Sequence, residues 1–153
     1  MEKVFLKLRE WDGLVIAWLR THVITLIQLS TGLIYVVFGG LKLFPNYSPA
    51  QDLGVDTVQL LTSHLLTPNV SLTMLAIIEV VIGLGLLLNF KRQWMIRIAL
   101  WHMACTFLPL VFLPDYTFTS TPFSLSLVGQ YILKNLVIVG ALLAVYSHSG
   151  QDN

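Results

Sequence analysis

Lys42, Glu79, His102 and Lys134 each lie inside or at the end of a long apolar run. A charge at the centre of a membrane helix costs about 2.5–3.5 kcal/mol on insertion scales. Such a group therefore faces a partner or a polar pocket. The chemistry open to this set is proton transfer and the binding of an anion or a carbonyl. Glu79 is the candidate proton carrier, and a carboxylate in such surroundings needs a basic partner or water. Lys134, His102 and Tyr35 are candidate hydrogen-bond donors. The candidate catalytic residues are thus Glu79, Lys134 and His102. The candidate ligand-binding residues are Lys42, Tyr35, Gln28, Gln130 and Asn135.

Spacing groups these residues on helical faces. Gln28, Gly32, Tyr35, Gly39 and Lys42 recur at steps of four and three, which is one face of a helix. Glycines on that face permit close helix approach. Ala76, Glu79 and Gly83 share a second face, and Ala99, His102, Thr106 and Pro109 a third. Gln130, Lys134, Val137, Ala141 and Ala144 make a fourth. The lone cysteine, Cys105, offers no disulfide, redox pair or zinc framework, and reads as a small buried hydrophobe. No metal site is expected.

The elements that must position these residues are membrane spans. The 153-residue chain is 56% hydrophobic and only 11% charged, with a mean hydropathy of +0.76. A soluble domain would carry about 25% charged residues. The fold class expected is all-α, a transmembrane four-helix bundle with an N-terminal interfacial amphipathic helix. Residues 1–20 form that helix, with Val4, Leu8, Trp11, Val15 and Trp18 on one face and Lys3, Lys7 and Glu10 on another. No small-x-small cleavage site precedes the first span, which reads as a signal anchor. Residues 21–147 form the bundle, with spans at about 23–42, 72–89, 95–113 and 129–146, and residues 148–153 are a polar tail. Residues 44–71 open with Pro45, Asn46, Ser48 and Pro49, then carry a short amphipathic helix from Asp52 to Leu66 against the bundle mouth. Pro109 and Pro114 loosen or end the third helix.

Net charge is +1, so no global field recruits nucleic acid. Local charge sets the orientation. Lys3, Lys7, Arg9 and Arg20 precede the first span, and Lys91, Arg92 and Arg97 cluster between the second and third. The two long connections carry no lysine or arginine. The positive-inside rule then puts both termini in the cytoplasm of a cell or inner membrane, with the long connections outside. At 1.5 Å per residue, Lys134 lies roughly 8 Å below the outer end of its span, Glu79 roughly 10 Å and His102 roughly 15 Å. All can share one funnel in the outer half. The expected pairing is Glu79 with Lys134, with Lys42 or His102 as a third member.

These residues carry a family resemblance. Gly39-Gly40-Leu41-Lys42 closes the first span, and Glu79 precedes Gly83-Leu84-Gly85. Gly129-Gln130-Tyr131-Ile132-Leu133-Lys134-Asn135 opens the fourth. Over about residues 23–146 the chain resembles the DoxX-like membrane proteins, in particular the branch of reactive-chlorine-resistance membrane proteins. The resemblance implies a four-helix membrane bundle and a link to quinone-coupled oxidation of small sulfur species or to oxidative-stress defence. It points to Lys42, Glu79 and Lys134. The single cysteine departs from a thiol-redox version of the pattern.

Two functional readings follow. In the first, a quinone binds in the outer-half pocket, with electrons supplied by a redox partner or a soluble substrate. In the second, the protein is a non-enzymatic accessory or assembly subunit among other membrane subunits, and its buried ion pair locks helices together. Bis-histidine haem ligation by His22 and His148 is not expected, since neither has a supporting motif. Ion transport is disfavoured by the apolar stretches Leu86-Leu87-Leu88 and Val137-Ile138-Val139, which leave no polar path.

Overall fold

The computed structural model describes residues 2–44, 51–119 and 124–149. The chain is all-α, with seven helices among the described residues: α1 (Glu2–Leu41), α2 (Gln51–Leu61), α3 (Pro68–Leu87), α4 (Arg92–Thr106), α5 (Pro109–Phe112), α6 (Pro114–Thr117) and α7 (Leu127–Ser149). Four stretches are long and apolar enough to cross a membrane: Lys7–Leu41, Pro68–Leu87, Arg92–Phe112 and Leu127–Ser149. The chain is a multi-pass membrane protein. Large apolar side chains such as Leu33, Ile77, Trp101 and Val137 stay exposed along these stretches, the outward face expected of helices solvated by lipid.

α1 is one continuous helix of 40 residues. The segment expected as an interfacial helix and the first expected span are not separated by a break near residue 20. No proline interrupts the run, and a helix keeps going where its backbone meets no obstacle. At 1.5 Å per residue it is about 60 Å long, roughly twice a bilayer's hydrocarbon thickness.

α1 and α3 form the closest pair in the bundle. A Cβ added to Gly83 would lie 2.7 Å from the Gly32 carbonyl oxygen and from the Val36 amide nitrogen. One added to Gly39 would lie 2.8 Å from the Cβ of Glu79. The glycines foreseen on these two faces are what let the backbones touch. The buried core joins α1, α3, α4 and α7 through Tyr35, Ile82, Leu86, Ile96, Ala99, Met103, Leu142 and Val145.

Chain punctuation follows the expected chemistry. α3 ends in a Schellman turn: Asn89 takes the left-handed conformation (φ 54°), and the Phe90 amide donates to the Gly85 carbonyl at 2.9 Å. α2 ends similarly at Ser63 (φ 51°), with the His64 amide bonded to Gln59 at 2.7 Å. The helix expected from Asp52 to Leu66 thus stops at Leu61. α2 packs on α3 through Val55, Thr57 and Val58. Pro109 and Pro114 each open a new short helix, α5 and α6. An antiparallel bridge, Phe118 with Leu125, folds the second long connection back to α7.

Candidate functional site

α1, α3 and α4 bring four polar side chains into one buried chain. Lys42, in the turn that ends α1, donates to Glu79 Oε2 on α3 at 2.5 Å. Glu79 Oε1 stands 3.4 Å from His102 Nε2 on α4. His102 Nδ1 is 3.3 Å from the Tyr35 hydroxyl on α1, which is also 3.3 Å from the Ala99 carbonyl. The Tyr35 and His102 rings are tilted at 60° with centroids 5.5 Å apart. All four residues are at most 9% exposed. The close passage at Gly39 is what sets Glu79 within reach of α1.

The chain is closed at one end and incomplete in the middle. Lys42 and Glu79 satisfy one another. His102 Nε2 is buried and has no hydrogen-bond partner, because its approach to Glu79 lacks hydrogen-bond geometry. An imidazole nitrogen so placed holds a donor or an acceptor in reserve. The Ser71 hydroxyl, fully buried near the start of α3, is also without a partner.

The expected partner of Glu79 is displaced. Lys134 is exposed on α7, with its ammonium 5.0 Å from the centroid of the Tyr131 ring. α7 buries Ile132, Leu142, Val145 and Ser149 instead. Gln130 is exposed as well, its amide reaching back to the Leu125 carbonyl at 3.5 Å. Asn135 is half-buried and donates to the Thr106 hydroxyl on α4 at 3.4 Å.

Gln28 serves the opposite end of the bundle. Its amide nitrogen donates to the Leu86 carbonyl at 2.7 Å and to Asn89 Oδ1 at 3.2 Å. It adds a second donor to the Leu86 carbonyl, which also accepts from the Asn89 amide at 3.3 Å where α3 ends. Fourteen residues of α1 separate it from Lys42, about 21 Å at the helical rise. Of the eight candidates, then, Tyr35, Lys42, Glu79 and His102 meet, while Gln28, Gln130, Lys134 and Asn135 stand elsewhere. The cap partner Asn89 was not singled out in the sequence, although an asparagine just past an apolar run is a usual helix stop.

A surface cavity of about 360 Å³ lies between α2, the start of α3 and α6, lined in part by Asp52, Asp56, Asn69 and Tyr116. Interaction with the Asp56 carboxylate, which shares this lining, holds the Tyr116 phenol above its ordinary pKa. His22 and His148 are both exposed and each lies within hydrogen-bond distance of its own helix, at the Trp18 and Ala144 carbonyls (2.9 and 3.0 Å). No group of three or more metal-ligating side chains occurs among the described residues.

Comparison with family models, with curated proteins and with solved structures finds no match to this chain.

Proposed function

We propose that this membrane protein binds a quinone-type headgroup at the Tyr35–His102–Glu79–Lys42 chain and exchanges protons with it, in a redox or oxidative-stress role of the DoxX-like kind. The observation that carries the reading is a run of four protonatable side chains, drawn from three helices, in which the His102 Nε2 facing Glu79 is buried and makes no hydrogen bond. Quinone chemistry couples electrons to protons. The headgroup offers carbonyl oxygens, and His102 Nε2 and the Lys42 ammonium are the donors suited to them. Glu79, between the two, holds and passes a proton. Tyr35 fixes the ring of His102 from the other side. Electrons come from a partner or a soluble substrate. Lysine and arginine placement supports an orientation in a cell membrane with both termini cytoplasmic and this chain in the outer half.

A second reading is favoured by a specific observation. The same four residues are buried, and the Lys42–Glu79 contact lies where α1 and α3 touch. A polar pair in that position locks two helices in register, which suits an accessory subunit with no chemistry of its own.

The test is solvent extraction of protein purified in mild detergent, with mass spectrometry for quinones, followed by titration with a short-chain benzoquinone. His102→Gln and Tyr35→Phe run beside the parent. Quinone retained by the parent and lost from folded variants supports the redox reading. A folded parent that binds no quinone, or variants that bind it equally, overturns that reading and leaves the lock.

A further inference from the structure

Among the described side chains, the first twenty-odd residues of α1 bury nothing against the rest of the chain. Every side chain described between Val4 and Val23 is exposed, and the first fully buried position is Gln28. At Gln28 the helix already touches the end of α3. From there back to Glu2 the helix extends about 39 Å at the helical rise. Its continuity with the span carries it away from the bundle.

This projecting arm has a heptad seam. Val4, Leu8, Trp11, Val15, Trp18 and His22 recur at steps of four, three, four, three and four. They occupy alternating d and a positions, starting with Val4 at d and Leu8 at a. Val4, Leu8 and Trp11 are each about 60% exposed, far from the burial such residues favour. The flanking positions discriminate between occupants. In a parallel pair of identical helices, each g residue faces the e residue five positions later on the other helix. Here g is Lys7 and the facing e is Asp12; the next g is Leu14 and its facing e is Leu19. Charge meets opposite charge and apolar meets apolar, twice over by symmetry. Arg9, Glu10 and Arg20 fall on the outer face.

The surface itself carries a matching socket. A concavity on α1 is lined by Val4, Lys7, Leu8 and Trp11, which are successive d, g, a and d positions. Four residues in that set form the hole that receives an a-position knob from a parallel partner helix. The knob at that level is Leu8 of a second copy.

We propose that the arm of α1 docks on the same arm of a second copy of this chain, as a parallel two-stranded coiled coil from Val4 to His22. Two copies inserted in one membrane with the same orientation are related by an axis along the membrane normal, which makes their arms parallel. Association of the arms buries the seam and leaves the bundle faces free. It does not depend on quinone binding.

The experiment uses the full chain with Cys105→Ser as background. Single cysteines are introduced as Val15→Cys on the seam and Gly13→Cys on the outer face, and oxidative cross-linking is read in native membranes. Val15→Cys is expected to form a disulfide dimer and Gly13→Cys is not. In detergent, native mass spectrometry should show a dimer that Asp12→Lys weakens roughly tenfold, as two attractions become two repulsions. The double swap Lys7→Asp with Asp12→Lys should restore it. A monomer at all concentrations, equal cross-linking at both positions, or no rescue by the double swap overturns the proposal. So does shielding of Trp11 and Trp18 by lipid vesicles in a protein that stays monomeric, which would assign the seam to the membrane surface.

Discussion

Lys42 and Glu79 each make the other tolerable. An ammonium and a carboxylate buried to this degree are costly to desolvate, and the cost is recovered only while both are present. Changing Lys42→Met alone, or Glu79→Leu alone, is expected to lower stability by about 3–5 kcal/mol, while the double change recovers most of that loss. Thermal unfolding in mild detergent measures it, and additive losses in the double variant would show that the two residues act separately. The need for a partner was legible from composition, since a carboxylate inside an apolar run cannot stand alone. The identity of the partner was not. Helical spacing states which residues share a face, but not which face turns inward. On α7 Lys134 stays exposed, while Ile132, Leu142 and Val145 are buried. Lys42, at the end of its helix, reads in sequence as a side chain free to reach toward water, yet the close pass at Gly39 draws it to Glu79.

Helix contacts are set by small residues. Gly83 lies against the backbone of α1, so any side chain there must push α1 and α3 apart. Gly83→Leu is expected to destabilise the bundle by roughly 1–3 kcal/mol or more. It should also break the Gln28 bonds to Leu86 and Asn89 at one end of the contact and the Lys42–Glu79 pair at the other. Gly40→Leu, by contrast, meets open space and should be close to neutral. Helical content and unfolding midpoint, compared between the two variants, decide the matter; equal losses would mean that chain flexibility, not contact, is what Gly83 supplies. Element existence was read well from apolar run length, and Pro109 and Pro114 marked the end of the third long helix. The union of the arm with the first span was not read. An amphipathic pattern with tryptophans resembles an interfacial helix whether or not the backbone bends where it meets the next segment.

At the scale of the molecule, all the arginines and most of the lysines lie toward one end of the bundle, while Lys42, within the buried polar chain, and Lys134 lie toward the other. Lys91, Arg92 and Arg97 sit at the α3–α4 end, near Tyr146 of α7, whose hydroxyl accepts from Arg97 at 3.3 Å. With Cys105→Ser as background, Ser63→Cys just after α2 is expected to react with an impermeant thiol reagent added outside intact cells. Phe90→Cys in the α3–α4 turn should react only after the membrane is ruptured. The reverse pattern would invert the molecule and put the Tyr35–His102–Glu79–Lys42 chain in the cytoplasmic half.

The turn that joins α3 to α4 bears on the order of assembly. Four residues, 88–91, separate the two helices, whereas twenty-six, 42–67, separate α1 from α3. Short loops close at little entropic cost, and longer ones cost more. The α3–α4 hairpin can therefore form as a local unit as soon as both helices are in the membrane, with Asn89 already set in its left-handed bend. α1, made earlier, then meets a finished surface. The amide of Gln28 finds its acceptors only once that bend exists, so its bonds to Leu86 and Asn89 are expected to form after the hairpin, not before it.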